Sequence, residues 1–271
     1  MSYKSILVLI DDTPQSQRRI AVASRLAAAF GAELNGIAIV PPLERQRRVR
    51  APGTKDMLRH DHEKAVAHAE SLAQGFPGIA RSAGAANASA KVVQAEPVEA
   101  LAAAAQAADL VVLSQPDADD VGALGGHFVE QALTAVGHPV LLVPRNNDVQ
   151  AVGQNVLIAW KNAECSARAV AGARPLLEKA GSVTVLVVDE HGGSVSTDEP
   201  LELLQRQGVQ AQGTVVKADD AGAAIVATAG KVGADVIVMG ALARHRIAEM
   251  ILGGATRTVL EKATVPVLMS H

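Results

Sequence analysis

A group of basic residues follows two apolar runs in the second half of the chain. Lys161 comes directly after residues 155–160, and three more stand shortly after residues 234–239, namely Arg244, His245 and Arg246. A cleft rimmed by such charges attracts an anion. The alternative is that these side chains point to water and pair with nearby acids, and the sequence leaves both interpretations open.

The first half of the chain carries acidic residues at the corresponding points. Five aspartates follow residues 5–10 and 108–113, namely Asp11, Asp12, Asp117, Asp119 and Asp120. So many like charges at the mouth of one cleft repel a polyphosphate unless a cation intervenes. We therefore expect no nucleotide in this half. The aspartates form either an exposed acidic loop or a site for a divalent cation.

Motifs for covalent catalysis or metal binding are missing from the sequence. There is no G-x-S-x-G nucleophile elbow, no Walker lysine motif and no H-E-x-x-H. His60, His62 and His68 lack the His-x3-His spacing of a zinc site. The single cysteine, Cys165, has no histidine placed beside it by the sequence. We predict no catalytic residue and no metal ligand.

The charged residues are positioned by a pattern of strands and helices that occurs twice. Five short apolar segments of the first half recur in the same order in the second half, at 5–10, 37–40, 91–101, 108–113 and 138–144, and at 155–160, 183–189, 213–225, 234–239 and 265–271. Unbroken apolar runs are typical of a parallel sheet covered on both faces. Helical spacers between them imply right-handed crossovers. The sequence therefore predicts two copies of one α/β domain.

The sequence also marks where the first helix of each copy begins and ends, and where the two copies meet. Thr13 can cap a helix that starts at Pro14, and Gly31 can end it. Asn162 and Gly181 are predicted to do the same in the second copy. The segment 145–154 is polar, so we predict domains at 1–148 and 152–271.

Composition excludes several classes of function. The net charge of −3 gives no electrostatic footprint for nucleic acid. No run reaches the roughly 18 apolar residues of a membrane span, and the N-terminal apolar run is too short for a signal peptide. One cysteine excludes an intramolecular disulfide. We expect a cytoplasmic protein without nucleic-acid or membrane partners.

The sequence as a whole resembles a known family. The segment DVIVMGALARHRIAEMILGGATRTVLEKATVPVLMS (235–270) resembles the C-terminal part of universal stress proteins, and ILVLIDD and VLIAWKN resemble their first strand and acidic loop. The chain is identified as a tandem, UspA-type member. The resemblance implies two Rossmann-like domains of the adenine nucleotide alpha hydrolase-like type. Each has a five-stranded parallel sheet of order 3-2-1-4-5 with helices on both faces, and a cleft between strands one and four.

Family members that bind ATP carry a loop of the form G-x2-G-x9-G-[ST]. Its glycines let the backbone approach phosphates, and the following helix presents free N–H groups. In the second copy Gly240 and the pair Gly253–Gly254 fit this spacing, while Ala243 replaces the second glycine and Lys161 the family's aspartate. The resemblance implies these binding residues: Ala159, Lys161, Val187, Met239, Gly240, Ala243, Arg244, Gly253, Gly254, Ala255 and Thr256.

The first copy has lost this loop. Ser114 stands where the second copy has Gly240, and His127 follows Gly126 at the position of the family's serine. Asp11 is the family's acidic residue, and it is retained. The resemblance therefore implies that any nucleotide binds only in the second copy.

The implied function is that of a non-catalytic stress-response protein that binds an adenine nucleotide, ATP or AMP, or another anion in its C-terminal domain. Two alternatives stay open: an interaction or scaffold protein without nucleotide, and a slow ATP hydrolase. By analogy with the family, residues 139–143 and 266–270 pair within the chain and make a pseudo-dimer. A homodimer is a further alternative.

Overall fold

The structure is a computed structural model. It describes the 271 residues except Met1, Glu44, 46–54, 117–123, 125–126, His191, Ser194, Leu242 and 247–248. Of Lys55, 243–246 and 249–252 it describes the backbone alone. The chain divides into two compact units. The N-terminal unit is Tyr3–Val136, and the C-terminal unit is Gly137–His271 together with Met1–Ser2.

The N-terminal unit is a parallel sheet with helical connections. Its elements are β1 (Ser5–Leu9), α1 (Pro14–Phe30), β2 (Glu33–Val40), α2 (Lys55–Ser82), β3 (Ala88–Gln94), α3 (Pro97–Ala105), β4 (Leu110–Ser114) and α4 (Phe128–Ala135). The strands lie in the order β3-β2-β1-β4. The apolar runs of β1 and β4 are buried, as expected for strands covered on both faces.

The C-terminal unit repeats this arrangement and adds strands to it. Its elements are β5 (Val140–Val143), β6 (Asn155–Trp160), α5 (Glu164–Leu177), β7 (Ser182–Asp189), α6 (Asp198–Arg206), β8 (Gln212–Lys217), α7 (Ala221–Lys231), β9 (Val236–Gly240), β10 (Ala243–Arg246), β11 (Glu249–Leu252), α8 (Gly254–Lys262) and β12 (Val267–Ser270). The parallel strands lie in the order β8-β7-β6-β9-β12. This is the predicted order 3-2-1-4-5, so the predicted fold class is confirmed.

The last strand of the first sequence repeat belongs to the C-terminal unit. β5 pairs antiparallel with β12, with Leu141 opposite Leu268 and Leu142 opposite Val267. This is the pairing of residues 139–143 and 266–270 that the family resemblance implies. The domain limits 1–148 and 152–271 stay a prediction.

Matching hydrogen bonds identify equivalent residues in the two units. The carboxylate of Asp109 accepts the backbone N–H groups of Lys4 and Ser5, and that of Asp235 accepts those of Gly153 and Gln154. In the same way, Ser16 Oγ accepts the N–H of Asp11, and Ser166 Oγ accepts that of Lys161. Asp11 therefore corresponds to Lys161, and Ser114 at the end of β4 corresponds to Gly240 at the end of β9.

The helix that follows the first strand ends as predicted in one unit only. In α1, Thr13 is at the N-cap position, Pro14 is the first residue and Gly31 is the C-cap, with a left-handed φ of 62°; the Thr13 side chain makes no capping hydrogen bond and donates to Asp11 Oδ1 instead. In α5 the N-cap is Ala163 instead of Asn162, and the helix ends at Leu177 instead of Gly181. Gly181 donates its N–H to Gln154 O, and this contact places it at the start of β7.

Candidate functional site

Three of the predicted binding residues lie side by side at the carboxyl ends of neighbouring strands. Ala159 in β6 is opposite Met239 in β9, and the next residue of β6, Trp160, is opposite Val187 in β7. Ala159, Val187 and Met239 are all buried. Ala159 and Met239 point to one face of the sheet, whereas Val187, the neighbour of Trp160, points to the other, so the three predicted residues do not form a single surface.

Gly240 ends β9 at a point where helix α5 crosses the strand. A Cβ at this position would lie 2.6 Å from Cys165 Sγ and 2.8 Å from the backbone of Cys165 and Ser166. No side chain fits there, so the glycine is required by helix packing. This explains Gly240 without reference to a ligand.

The segment after Gly240 forms a hairpin where the family loop is expected. β10 and β11 are antiparallel, with Ala243 opposite Leu252 and Arg246 opposite Glu249. Ala243 and Arg244 therefore lie in a strand. Their side chains, and those of His245 and Arg246, lie outside the described part of the structure, so the predicted rim of basic charges remains a prediction there.

Helix α8 starts at the predicted glycine pair and has an open N-terminus. Gly253 is the N-cap and Gly254 the first residue, with no side-chain cap and no acid in the first turn. Gly254 is exposed, and a Cβ there would have no atom within 4 Å. The first backbone bond of the helix is from Arg257 N to Gly253 O. The N–H groups of Gly254, Ala255 and Thr256 precede it, and such groups, at the positive end of the helix dipole, suit an anion.

Lys161 is the one basic residue of the predicted rim whose side chain is described. Its Nζ lies 3.7 Å from Glu190 Oε2, and both side chains are partly exposed to solvent. Lys161 is therefore paired with a nearby acid, which is the alternative that the sequence left open. An exposed pair of this kind is weak, so an incoming anion can compete with Glu190 for the ammonium group.

The equivalent cleft of the N-terminal unit is filled by a buried arginine. Arg19 of α1 is only 2% exposed. Its Nε donates to Leu9 O at 2.7 Å, its Nη1 to Ser114 Oγ at 2.6 Å and its Nη2 to Asp11 Oδ2 at 2.9 Å. Burial lowers the pKa of Arg19, and the charge and hydrogen bond of Asp11 oppose this shift. The guanidinium group therefore joins the ends of β1 and β4 from inside.

The two clefts differ at three coupled positions. Where the N-terminal unit has Asp11, Arg19 and Ser114, the C-terminal unit has Lys161, Ala169 and Gly240, and Ala169 is fully buried. An arginine bound to an aspartate and a serine is thus replaced by two small residues and a lysine. Among the side chains that the structure describes, none takes the place of Arg19 in the C-terminal cleft, because Ala169 stands at that position.

Comparison with known proteins decides the family. The profile of the universal stress protein family matches residues 2–144 and 189–271. The chain belongs to this family. A search among curated proteins gives no significant match.

Solved universal stress proteins share the fold. One from Archaeoglobus fulgidus is 19% identical, with a TM-score of 0.74 over 98% of this chain and 97% of the other. A putative one from Pseudomonas aeruginosa UCBPP-PA14 is also 19% identical, with a TM-score of 0.56 over 99% and 93%. At 19% identity, this likeness supports the fold of this universal stress protein and does not identify its ligand.

The acidic group of this universal stress protein is less free than its sequence suggests. Asp11 is paired with Arg19, which the sequence argument overlooked, and Asp12 Oδ2 lies 3.4 Å from His68 Nε2. Asp117, Asp119 and Asp120 lie outside the described residues, as does Gly126. The expectation that Asp11 adds uncompensated negative charge to the cleft is corrected by the Arg19 contact.

A helical pattern in the sequence could have found Arg19. Ser16, Arg19, Ala23 and Phe30 fall on one face of α1, and this face is buried. Because a buried guanidinium is rare unless it is paired, the spacing would have directed attention to the acid after β1.

Two further predicted absences concern other parts of this universal stress protein. Across the residues that the structure describes, no three or more histidine, cysteine, aspartate or glutamate side chains come close enough to hold a metal ion. Nε2 of His62, one of the histidines considered above as metal ligands, lies 3.2 Å from Gln94 Oε1. No described helix has the length and apolar composition to cross a membrane.

Proposed function

We propose that this universal stress protein binds one anionic ligand, an adenine nucleotide such as ATP or AMP, in the cleft of its C-terminal unit and catalyses no reaction. The contrast between the two clefts carries the proposal. Arg19 occupies the N-terminal cleft, whereas its counterpart in the C-terminal cleft is Ala169. A cleft already filled by its own guanidinium group has no room for a second occupant.

Each part of the C-terminal cleft suits a part of the ligand. Ala159 and Met239, which are neighbours on one face of the sheet, give an apolar surface of the kind that a base requires. The N-terminus of α8, uncapped by any side chain, suits phosphate oxygens. Lys161 adds a cation that is held by one weak partner, Glu190.

Isothermal titration of the full chain with ATP and with AMP tests the proposal. We expect one ligand per chain. The test variant carries Lys161→Asp and Ala169→Arg, which places the Asp11–Arg19 pair of the N-terminal unit in the C-terminal cleft. We expect it to lose binding. Because Ala169 is fully buried and Gly240 packs closely against α5, the melting temperature of the variant is measured as well, and Lys161→Asp alone, at an exposed side chain, should weaken binding without unfolding the chain.

The control for the added arginine is Ala171→Arg, which places the same side chain at an exposed position of α5 and keeps Lys161. It should bind like the unmodified chain. Absence of heat and of any thermal shift at millimolar ATP would reject the proposal and favour the interaction protein without nucleotide. Phosphate release faster than that of the double variant would favour the slow hydrolase.

The cytoplasmic location and the homodimer expected from the sequence stay predictions. Fractionation of cells tests the first, and sedimentation of the purified chain tests the second.

A further inference from the structure

Helices α7 and α8 of the C-terminal unit contact each other near their N-termini. Gly222 is the second residue of α7, and a Cβ on it would lie 2.5 Å from Thr258 Cβ and 2.9 Å from the carbonyl oxygen of Ala255. Carbon atoms in contact are about 3.5–4.0 Å apart, so a side chain does not fit at this position. Thr258 Cβ and Ala255 O move only with the backbone of α8. Glycine at position 222 therefore allows an approach of the two helices that no other residue allows.

The N-terminal unit has a valine at the equivalent position. Val98 is the second residue of α3, as Gly222 is of α7. Three residues further on, Leu101 and Ile225 are both buried, which supports this alignment of the two helices. With the side chain of Val98 in place of Gly222, α3 and α4 cannot make the same approach. The close contact thus belongs to the unit in which we propose a ligand, and the fold itself does not require it.

The N-terminus of α7 is capped by its own acid, whereas that of α8 is not. Asp220 precedes α7 and accepts the N–H of Ala223 at 3.0 Å, so its negative charge faces the positive end of the α7 dipole. Gly253 at the N-cap of α8 has no such group, and α8 has no acid in its first turn. An anion is therefore attracted to the N-terminus of α8 more strongly than to that of α7.

From this contact we infer that Gly222 is a positioning residue for the phosphate end of the C-terminal cleft. The inference rests on the proposed function, in which the N–H groups of Gly254, Ala255 and Thr256 meet the phosphate oxygens of the nucleotide. Because Ala255 O lies against α7, the surface of α7 sets where this turn stands. A Cβ at position 222 displaces the turn by about 1 Å, from 2.5 Å to an ordinary carbon–carbon contact. Donors that stand about 2.7–3.2 Å from the phosphate oxygens are then out of reach.

Titration of the full chain with ATP and with adenosine separates contacts to the phosphates from contacts to the base and ribose. We expect the unmodified chain to bind ATP more tightly than adenosine. Gly222→Ala should lower the affinity for ATP about tenfold, because a hydrogen bond to a charged group is lost, and should leave the affinity for adenosine unchanged. If Gly222→Ala lowers the melting temperature and the ratio of the two affinities stays as it was, the glycine serves helix packing alone and the inference is wrong.

Gly230→Ala is the matched control, because it adds the same methyl group to α7 at an exposed position with open space. It should keep both affinities. Gly222→Ala combined with Thr258→Gly removes the closest of the colliding atoms, and we expect its affinity for ATP to lie between those of Gly222→Ala and the unmodified chain. Should Gly222→Ala not fold, an unchanged ratio of affinities in this double variant overturns the inference.

The unmodified chain separates failure of this inference from failure of the proposed function. If it binds neither ATP nor adenosine, the proposed function is rejected and the inference with it. If it binds ATP and Gly222→Ala binds ATP equally well, the proposed function stands and only the role of Gly222 is rejected. Equal affinities of the unmodified chain for ATP and adenosine would show that α8 does not hold the phosphates, which also overturns the inference.

Discussion

At the scale of single residues, Arg19 ties three parts of the N-terminal unit together. Its guanidinium group is bonded to the backbone at the end of β1, to Ser114 at the end of β4 and to Asp11 between them. Removing it leaves Asp11 Oδ2 without its cationic partner and takes one donor from Leu9 O, while Thr13 still donates to Asp11 Oδ1. We therefore expect Arg19→Met to lower the free energy of unfolding by about 2–4 kcal/mol, measured by urea denaturation of the full chain.

Two controls separate the ion pair from other effects of this change. Arg25→Met removes a charge from an exposed position of the same helix and should change stability by less than about 0.5 kcal/mol. Arg19→Met combined with Asp11→Asn removes both charges and should be more stable than Arg19→Met alone. Equal stability of Arg19→Met and the unmodified chain would show that the pair adds nothing.

Tyr3 makes the stability of the N-terminal unit depend on alkaline pH. Burial, with a smaller effect of Asp109, raises the pKa of Tyr3 well above its ordinary value of 10.0. The hydroxyl thus keeps its proton in the folded chain while the unfolded chain loses it above pH 10. The contribution of the protonated Tyr3 hydroxyl to stability is complete below pH 10. As the pH rises further, the free energy of unfolding falls by up to about 1.4 kcal/mol per pH unit.

The chain has no other tyrosine, so tyrosinate absorbance at alkaline pH reports this residue alone. We expect no ionisation near pH 10 until the unit unfolds. Tyr3→Phe should remove this part of the pH dependence, and the difference between the two chains isolates it from lysine titration. A tyrosinate midpoint near 10 in the folded chain would contradict the prediction.

At the scale of elements, the two glycines of the family loop have different structural roles. Gly240 lies where α5 crosses β9, and a Cβ there would collide with backbone atoms of α5 that cannot move independently. Gly240→Ala should destabilise the chain by about 2–4 kcal/mol. Gly254→Ala has open space and lies in the first turn of a helix, so it should be neutral or stabilising by up to about 1 kcal/mol. Urea midpoints compare the two variants, and similar losses from both would contradict the packing argument.

The sequence predicts the strands of the central sheets well and their connections less well. Unbroken runs such as SILVL and VIVMG have no polar face, so only a sheet covered on both sides suits them. The β10–β11 hairpin could not be predicted, because residues 243–252 mix charged and apolar side chains without the alternation of a half-buried strand. The helical spacing of α1 is enough to place Arg19 on its buried face, but the sequence could not identify its partner Ser114, which lies 95 residues further along the chain.

At the scale of the whole molecule, sequence repeat and structural unit do not coincide. β5 ends the first repeat, yet its residues pair with β12 of the second. Pro139 just before it lies against α5, where a Cβ on Gly172 would be 2.3 Å from Pro139 Cγ. Sequence reasoning places the boundary in the polar linker because linkers are polar and exposed, and this signal contains no information about the pairing of β5 with β12.

A comparison of two fragments tests where the C-terminal unit begins. The fragment 152–271 is the domain predicted from the sequence, and 137–271 adds β5. Without β5, the apolar strand Val267–Ser270 becomes an unpaired edge, and its backbone groups opposite Val140–Leu142 lose their partners. We expect 152–271 to be less stable than 137–271 by at least about 2 kcal/mol in urea, and to self-associate more strongly in sedimentation. If both fragments have the same midpoint and the same mass in solution, the unit starts after the linker and β5 contributes nothing to its stability.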